Sequence, residues 1–320
     1  MDAIIFAPNS AIDSYYELDG FSTGQVQVAK HAFHTAGGKG FNMARALKNI
    51  GGMPFCLGLV GGEAGRFIEM DLVKENIPCD LIWGNEESRR CVSLFIPGEA
   101  DTTVILERGA EVEPTLAGAL TRVCLAHARQ APFFVLTGSL PNGFLLDFYA
   151  NLVSLLKPFP VKVCLDASGE ALKLAAEAGP ALIKVNSKEF EQTFLAEGEH
   201  FSISIGQSIF INLQEKGLEV LIVTNGADGA YVFLPEGVTY QVRTQVDRLV
   251  STAGSGDTFL AGLIYSLNRG SGYKEAFAFA SAAAAANTQE LGCGILQPAV
   301  IPHFLAQTTL DVVSIRERQS

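Results

Sequence analysis

The sequence predicts an α/β fold of three layers (αβα), with a mostly parallel central sheet, helices on both faces and a small β-structured lid. Three observations carry this expectation. Short runs rich in Val, Ile, Leu and Phe recur along the chain, and most are followed by longer segments in which apolar residues return every three or four positions. Two stretches, 14–33 and 90–107, break that rhythm with strand-like segments and no intervening helix.

The apolar runs at 3–7, 55–60, 132–137, 161–165, 181–185 and 219–224 are near-continuous, with single charged residues at Lys162, Lys184 and Glu219. Near-continuous runs suit strands buried on both faces, as parallel strands are. Segments 41–50, 114–128, 143–156, 205–215, 257–268 and 273–287 have helical spacing, as in Phe41, Ala44, Leu47 and Ile50. Five alanines at 282–286 sit inside the last of these and imply close packing, beside another helix or a flat ligand. In the lid, 91–96 and 102–106 read as strands joined by the turn Pro97-Gly98-Glu99; the plainer alternative is a pair of edge hairpins without a functional part. The tail from 311 to 320 carries no pattern.

With 320 residues and 48% hydrophobic content, the chain can bury a large core, and the absence of linkers or repeats favours one domain over 1–320. Acidic residues outnumber basic ones 34 to 23, giving a formal net charge of −11. That balance argues against nonspecific attraction to nucleic acid or anionic membranes. An acidic protein that handles anions must gather backbone N–H groups and its few cations locally, so glycine-rich turns become informative. The six cysteines contain no C-x-x-C pair and the five histidines no H-E-x-x-H, so neither metal-site spacing is met and the thiols read as reduced core residues. No basic start with a long apolar stretch opens the chain, and no run reaches membrane-spanning length; a cytoplasmic location is expected.

Segment 250–262 runs from a strand-like end through Gly254-Ser255-Gly256 into an amphipathic helix. Glycines there let backbone N–H groups converge at the positive end of a helix dipole, an arrangement suited to a phosphoryl group in transfer. Asp257, in the first turn, would repel a phosphate unless it accepted the proton of an attacking hydroxyl. The alternative is an ordinary helix cap, with Asp257 favouring the dipole. Segment 35–47 is a second glycine turn feeding a helix, without the ending of a P-loop and without G-x-G-x-x-G. Its close-approach backbone, Lys39 and Asn42 suit a polyhydroxylated ligand, or else form a purely structural turn.

Together, Gly37-Gly38-Lys39-Gly40-Phe41-Asn42 and Thr252-Ala253-Gly254-Ser255-Gly256-Asp257 resemble, in order and separation, the two signatures of the PfkB (ribokinase-like) carbohydrate kinases. The resemblance covers essentially the whole chain and is nearer to the 1-phosphofructokinase and tagatose-6-phosphate kinase branch than to ribokinase or adenosine kinase. Asn9-Ser10-Ala11-Ile12-Asp13 is similar to the family's N-P-S-x-D, and Thr137-Gly138-Ser139-Leu140-Pro141 to its G-S-L-P turn. Lys184-Val185-Asn186-Ser187-Lys188-Glu189 resembles K-P-N-x-x-E, and 224–229 resembles the S-x-G-x-x-G turn. Ser10 and Val185 stand where the family has proline, and Thr224 where it has serine.

The resemblance implies a fold, a chemistry and a set of roles. Asp257 becomes the general base and Gly254, Ser255 and Gly256 the cradle for the moving phosphoryl group. Asp13, Gly37, Gly38, Lys39, Asn42 and Ser139 become sugar contacts, with Arg89 or Arg90 reaching from the lid to a sugar phosphate. Lys184, Asn186, Thr224, Gly226, Gly229, Gly254, Gly256 and Asn287 would serve ATP, and Asn186 and Glu189 would organise Mg2+ through water. The implied reaction is ATP-dependent phosphorylation of a primary hydroxyl, with fructose 1-phosphate as first substrate. Tagatose 6-phosphate or fructose 6-phosphate follows, then a neutral sugar or nucleoside, then a sugar-phosphate sensor without catalysis. The sequence leaves oligomeric state open: a β lid can stand alone or pair with a second copy through an exposed edge, giving a homodimer through the lid.

Overall fold

The computed structural model describes residues 1–98 and 102–315. From the amino terminus the elements are β1 (Ala3–Ala7), β2 (Ala11–Glu17), β3 (His31–Gly37), α1 (Lys39–Asn49), β4 (Pro54–Gly61), α2 (Gly62–Lys74), β5 (Cys79–Gly84), β6 (Arg89–Phe95) and β7 (Thr103–Leu106). There follow α3 (Pro114–His127), β8 (Phe133–Thr137), α4 (Phe148–Leu156), β9 (Lys162–Asp166), α5 (Gly169–Glu177), β10 (Leu182–Asn186), α6 (Ser187–Phe194) and α7 (Ile203–Gln214). The last third holds β11 (Val220–Thr224), β12 (Ala230–Phe233), β13 (Val238–Thr244), α8 (Ser255–Asn268), α9 (Tyr273–Asn287), α10 (Ile301–Ala306) and β14 (Thr308–Ile315).

Ten strands form one sheet in the order β14-β13-β12-β11-β10-β9-β8-β1-β4-β5. The pairings from β11 to β5 are parallel, and β12, β13 and β14 close one edge antiparallel. The near-continuous apolar runs have the predicted cause. Along β1, Ala3, Ile5 and Ala7 enter the core under α1, α8 and α9, whereas Ile4 and Phe6 enter the opposite core under α3, α4 and α5. Each fully buried side chain of this size contributes roughly 1.5–3 kcal/mol, so a polar residue anywhere in β1 would be costly. The alanines of α9 serve helix packing: the place of a Cβ on Gly262 of α8 lies 3.0 Å from Ala280 Cα and 3.1 Å from Ala283 Cβ.

A second sheet, in the order β3-β2-β6-β7, forms the lid, and its base rests on α1 and α2. The strands sit at 11–17 and 31–37, so the segment 14–33 holds the ends of two strands and the connection between them. The sheet thus starts earlier and ends later than the expected lid. Its outer ends grow directly out of β1 and into α1, which places Asp13 and Gly37 at its root. Of the expected turn 97–99, Glu99 lies outside the described residues.

Other differences have local reasons. Strand β5 is half-exposed with Asp80 and Trp83 outward, and helix α2 begins Gly62-Glu63-Ala64-Gly65, so neither has a strong pattern. The patternless tail supplies β14, which pairs with β13 from Thr308↔Thr244 to Ile315↔Val238; residues 316–320 lie outside the described residues. Hydrogen bonding to β13, invisible in composition, makes it a strand. Among the described residues, no helix is long and apolar enough to cross a membrane.

Candidate active site

The candidate residues gather where parallel strands end. Asp166 and Asn186 are the last residues of β9 and β10, Thr224 the last of β11, and Gly138 follows β8. This carboxyl-end crevice is where open α/β sheets place ligands. Above it stands the lid root.

Around Asp257 the structure assembles a charged group. Gly254 precedes α8 at φ 77°, and a Cβ there would lie 2.5 Å from Cys293 Cα. The left-handed backbone and the close approach both require glycine. Asp257 in the first turn of α8 is buried, and its carboxyl is pushed up to about 7, first by that burial and then by the charge of Asp166; Lys184 and Lys39 pull the other way. Asp166, 1% exposed, accepts Lys39 Nζ at 2.7 Å on one oxygen and Lys184 Nζ at 2.9 Å on the other. Burial alone would push Asp166 up, but the ammonium groups of Lys184 and Lys39 outweigh it and hold the carboxyl below the usual range. Lys39 also donates to Glu189 Oε1 at 2.7 Å. Burial opposes its charge, yet Asp166, Glu189 and Asp257 keep the ammonium firmly protonated. Lys184 reaches the glycine turn: a Cβ on Gly256 would lie 2.7 Å from its Nζ. Ser255 Oγ is buried without a hydrogen-bond partner. An orphaned hydroxyl in a turn of converging N–H groups fits an anionic ligand that would supply its partner.

The second group surrounds Asp13. Its Oδ2 accepts Gly38 N–H and Asn42 Nδ2–H, both at 3.4 Å. Burial raises its pKa, while the Gly38 amide, Asn42, Arg45 and Arg89 work against the rise. Gly37 lies against it so closely that a Cβ would fall 2.1 Å from Asp13 Cγ. Arg89 donates to Asn9 O at 3.3 Å and Glu107 O at 3.4 Å, and its Nε is buried and unpartnered. Ser139, exposed after β8, accepts Asn9 Nδ2–H at 2.9 Å. Beside these residues a small cleft of about 50 Å³ is lined by Asn9, Ser10, Ser88, Arg89, Gly109 and Pro141.

Several expected residues sit differently from their sequence neighbours. Arg90 is exposed, opposite Ile12 in the β2–β6 register, while Arg89 and Cys91 lie opposite Ala11 and Asp13. Alternation along the strand therefore removes Arg90 from the Asp13 face. Lys39 stands between Asp166 and Glu189. Asn287 is fully buried: its Oδ1 accepts Thr258 Oγ1–H at 3.0 Å and Gly294 N–H at 2.9 Å, and its Nδ2 donates to Ala253 O at 2.8 Å. It braces the turn from within and has no surface for a nucleotide base, which corrects its expected place among the ATP contacts. Thr224 Oγ1 donates to Val185 O at 3.3 Å, and Gly226 and Gly229 shape the turn that follows it with φ of 54° and 81°.

Asp166 was missed in the sequence. Its signal was available, a carboxylate directly after the apolar run 161–165, but such a residue reads equally as a loop start until tertiary structure brings two lysines to it.

Donors suited to magnesium lie at the start of α6. Asn186 Oδ1 accepts Glu189 N–H at 2.8 Å, and Asn186 N–H donates to Glu189 Oε2 at 2.9 Å, a capping box that opens α6. Among the described residues no three His, Cys, Asp or Glu side chains converge as a metal cage. Glu189 and Asn186 fit an ion held mainly by phosphate oxygens and water, with these two as outer contacts.

A tagatose-6-phosphate kinase of Staphylococcus epidermidis is 30% identical over 261 residues, covering 80% of this chain and 82% of its own. Among solved structures, a putative phosphofructokinase from Staphylococcus aureus superposes with a TM-score of 0.79 at 25% identity over 98% of this chain and 100% of its own. A possible 1-phosphofructokinase of Thermotoga maritima reaches a TM-score of 0.88 at 20% identity, covering 98% of this chain and 99% of its own, and so shares the ribokinase-like fold. The family described as pfkB family carbohydrate kinase matches residues 8–300, a span that contains both glycine turns, the lid and every group described above, and the chain belongs to that family.

Proposed function

We propose that this protein transfers the γ-phosphoryl group of ATP to a primary hydroxyl of a hexose phosphate. The observation that carries the reading is Asp257, a buried carboxyl pushed up to about 7 beside the Gly254–Gly256 turn and two lysines. A base of that strength is half ionised near neutral pH, where proton acceptance from an alcohol is most effective. The sugar hydroxyl loses its proton to Asp257 and its oxygen bonds to the γ-phosphorus. The bond from that phosphorus to the bridging oxygen breaks, and ADP leaves. Lys184 neutralises the polyphosphate, the turn amides and Ser255 hydroxyl receive the moving group, and Asp13, Asn42 and Ser139 orient the sugar. Magnesium, when bound with ATP near Glu189 and Asn186, supplies charge neutralisation.

Arg89, which lines the cleft near Asn9 and has a buried, unpartnered Nε, supports a phosphorylated sugar over a neutral one. Fructose 1-phosphate, giving fructose 1,6-bisphosphate, is the first choice. The staphylococcal relative keeps tagatose 6-phosphate in contention, with fructose 6-phosphate behind. Pairing of two copies through the lid is supported by Val104, Ile105 and Leu106 of β7, which are 48%, 56% and 64% exposed.

The test is ADP release with Mg-ATP and, in parallel, fructose 1-phosphate, tagatose 6-phosphate, fructose 6-phosphate, fructose and ribose, for the wild type and Asp257→Asn. Turnover of a phosphosugar that vanishes in the variant supports the reading. Preference for an unphosphorylated sugar overturns the role of Arg89, and stabilisation by sugar phosphate without ADP release points to a sensor.

A further inference from the structure

We propose that Arg45 is the positioning residue that locks the sugar side of the site to the catalytic turn, by fixing Asn42, the root of the lid and the 293 loop with one guanidinium. The inference rests on the kinase reading above and concerns how its two halves are held in register.

Arg45 lies on α1, the helix opened by the Gly38-Lys39 turn, and is only 4% exposed. Its fork is fully committed. Nε donates to Glu75 Oε1 at 2.7 Å; one terminal nitrogen donates to Asn42 Oδ1 at 3.3 Å and to Cys293 O at 3.2 Å; the other donates to Ala36 O at 2.6 Å and lies 3.9 Å from Asp71 Oδ2. Each contact has a consequence at the site. A guanidinium can only donate, so it fixes Asn42 with its oxygen toward Arg45 and its NH2 toward Asp13. Ala36, the residue before Gly37, has its carbonyl held by Arg45 and its N–H by Asp71 Oδ2 at 2.7 Å, which secures β3 where the lid meets Asp13.

The third contact crosses to the catalytic side. Cys293 sits against Gly254, and its N–H donates to Tyr15 OH at 2.9 Å on β2. The next residue, Gly294, donates to Asn287, which holds Ala253 O. Arg45 therefore reaches the lid root directly and the Gly254 turn through two consecutive residues, Cys293 and Gly294. Lysine could keep the charge but could not serve Asn42, Ala36 and Cys293 together, because its ammonium is a single point.

Charge and geometry have separable signatures. The groups facing Asp13 are Gly38 N–H, Asn42 and Arg45 from the α1 side, Arg89 and Cys91 from β6, Tyr15 on its own strand, and Cys293 from the loop. Of these, Arg45 and Arg89 carry positive charge that favours the carboxylate. Losing Arg45 lets the Asp13 carboxyl take a proton at higher pH, so sugar binding should fail earlier on acidification.

The experiment measures dissociation constants for fructose 1-phosphate, tagatose 6-phosphate and Mg-ATP by calorimetry, on the intact chain carrying Asp257→Asn so that the catalytic base does not titrate. Arg45 is kept, or replaced by Arg45→Met or Arg45→Lys, and sugar binding is followed against pH; the phosphate's own titration cancels between variants. Arg45→Met is expected to weaken the sugar phosphate by about tenfold or more, with Mg-ATP changed less than about threefold, and to move the acid limb of sugar binding upward. Arg45→Lys should show the weaker sugar binding with the acid limb in place. Equal losses for both ligands, an unmoved acid limb in Arg45→Met, or full-strength sugar binding in Arg45→Lys would overturn the proposal. If Arg45→Met does not fold, Arg45→Lys decides by the same criterion. If the chain with Arg45 kept binds neither these two sugar phosphates nor fructose 6-phosphate, the hexose-phosphate kinase reading fails by itself, and amide exchange in Arg45→Lys decides for the tether. Faster exchange in 31–38 and 289–297 with 219–224 unchanged supports it, and no change in those two segments overturns it.

Discussion

Replacing Asp166 by Asn should move the acid limb of the catalytic rate downward. The carboxyl of Asp257 is lifted from an ordinary 3.8 to about 7 by burial first and then by the Asp166 charge, against the pull of Lys184 and Lys39. Asp166→Asn removes a like charge and leaves both ammonium groups less neutralised, so the two changes have the same sign. Removing a like charge that is the second cause of that rise should lower Asp257 from about 7 by on the order of one unit or more. Because Asp257 acts deprotonated, activity rises with pH through its pKa. With the base at about 7, only about one tenth is ionised at pH ~6; near 5, about nine tenths would be. The assay is initial-rate ADP release at saturating Mg-ATP across roughly pH 5–9, taking kcat/KM for the sugar phosphate. The ratio of activity at pH ~6 to pH ~8 should climb several-fold in Asp166→Asn, even as absolute activity falls because Lys39 and Lys184 lose their shared anchor. An acid limb that stays near 7 or moves upward would refute the coupling of Asp166 to Asp257.

The other expectations concern residues that touch these two carboxylates. Asp257→Asn should lower kcat by about 10²–10⁴ while leaving ligand affinity largely intact. It should also raise the melting temperature above neutral pH: protonation of the wild-type carboxyl stabilises the fold fully below 3.8, and that contribution is lost as pH rises through about 7. The advantage of the variant, read by calorimetry, should therefore vanish by about pH 4. Lys184→Met should raise KM for ATP and move the acid limb upward, the opposite sign to Asp166→Asn, since it removes a charge that favours ionised Asp257. Gly37→Ala places a methyl 2.1 Å from Asp13 Cγ. Relief of such a clash costs about 1–3 kcal/mol, so KM for the sugar phosphate should rise about fivefold or more in steady-state assays while KM for ATP holds.

The chain itself determined the sheet-forming runs and the two glycine turns. Residues 3–7, 132–137 and 219–224 could be assigned because a strand buried on both faces is apolar at most positions. The 254–257 turn could be assigned because only glycine fits a left-handed residue pressed against another backbone. Where a strand is held by its partner's hydrogen bonds, as Thr308–Ile315 is by β13, side-chain composition has little to report and the tail read as blank. The same limit applied to the site. Lys39, Asn42 and Asp257 were legible from the glycine turns they follow, and Asp13, Arg89 and Lys184 from the family resemblance. Sequence could not tell that Lys39 and Lys184 converge on Asp166 or that Arg90 points away from Asp13. Nor could it tell that Asn287 braces the catalytic turn from inside, or that Arg45 joins the lid root to the 293 loop. Those facts depend on which strand ends are neighbours and on the pleat of β6 against β2. Charge interactions fall off over a few ångströms, so only tertiary proximity sets the ionisation and orientation of groups more than a hundred residues apart in the chain.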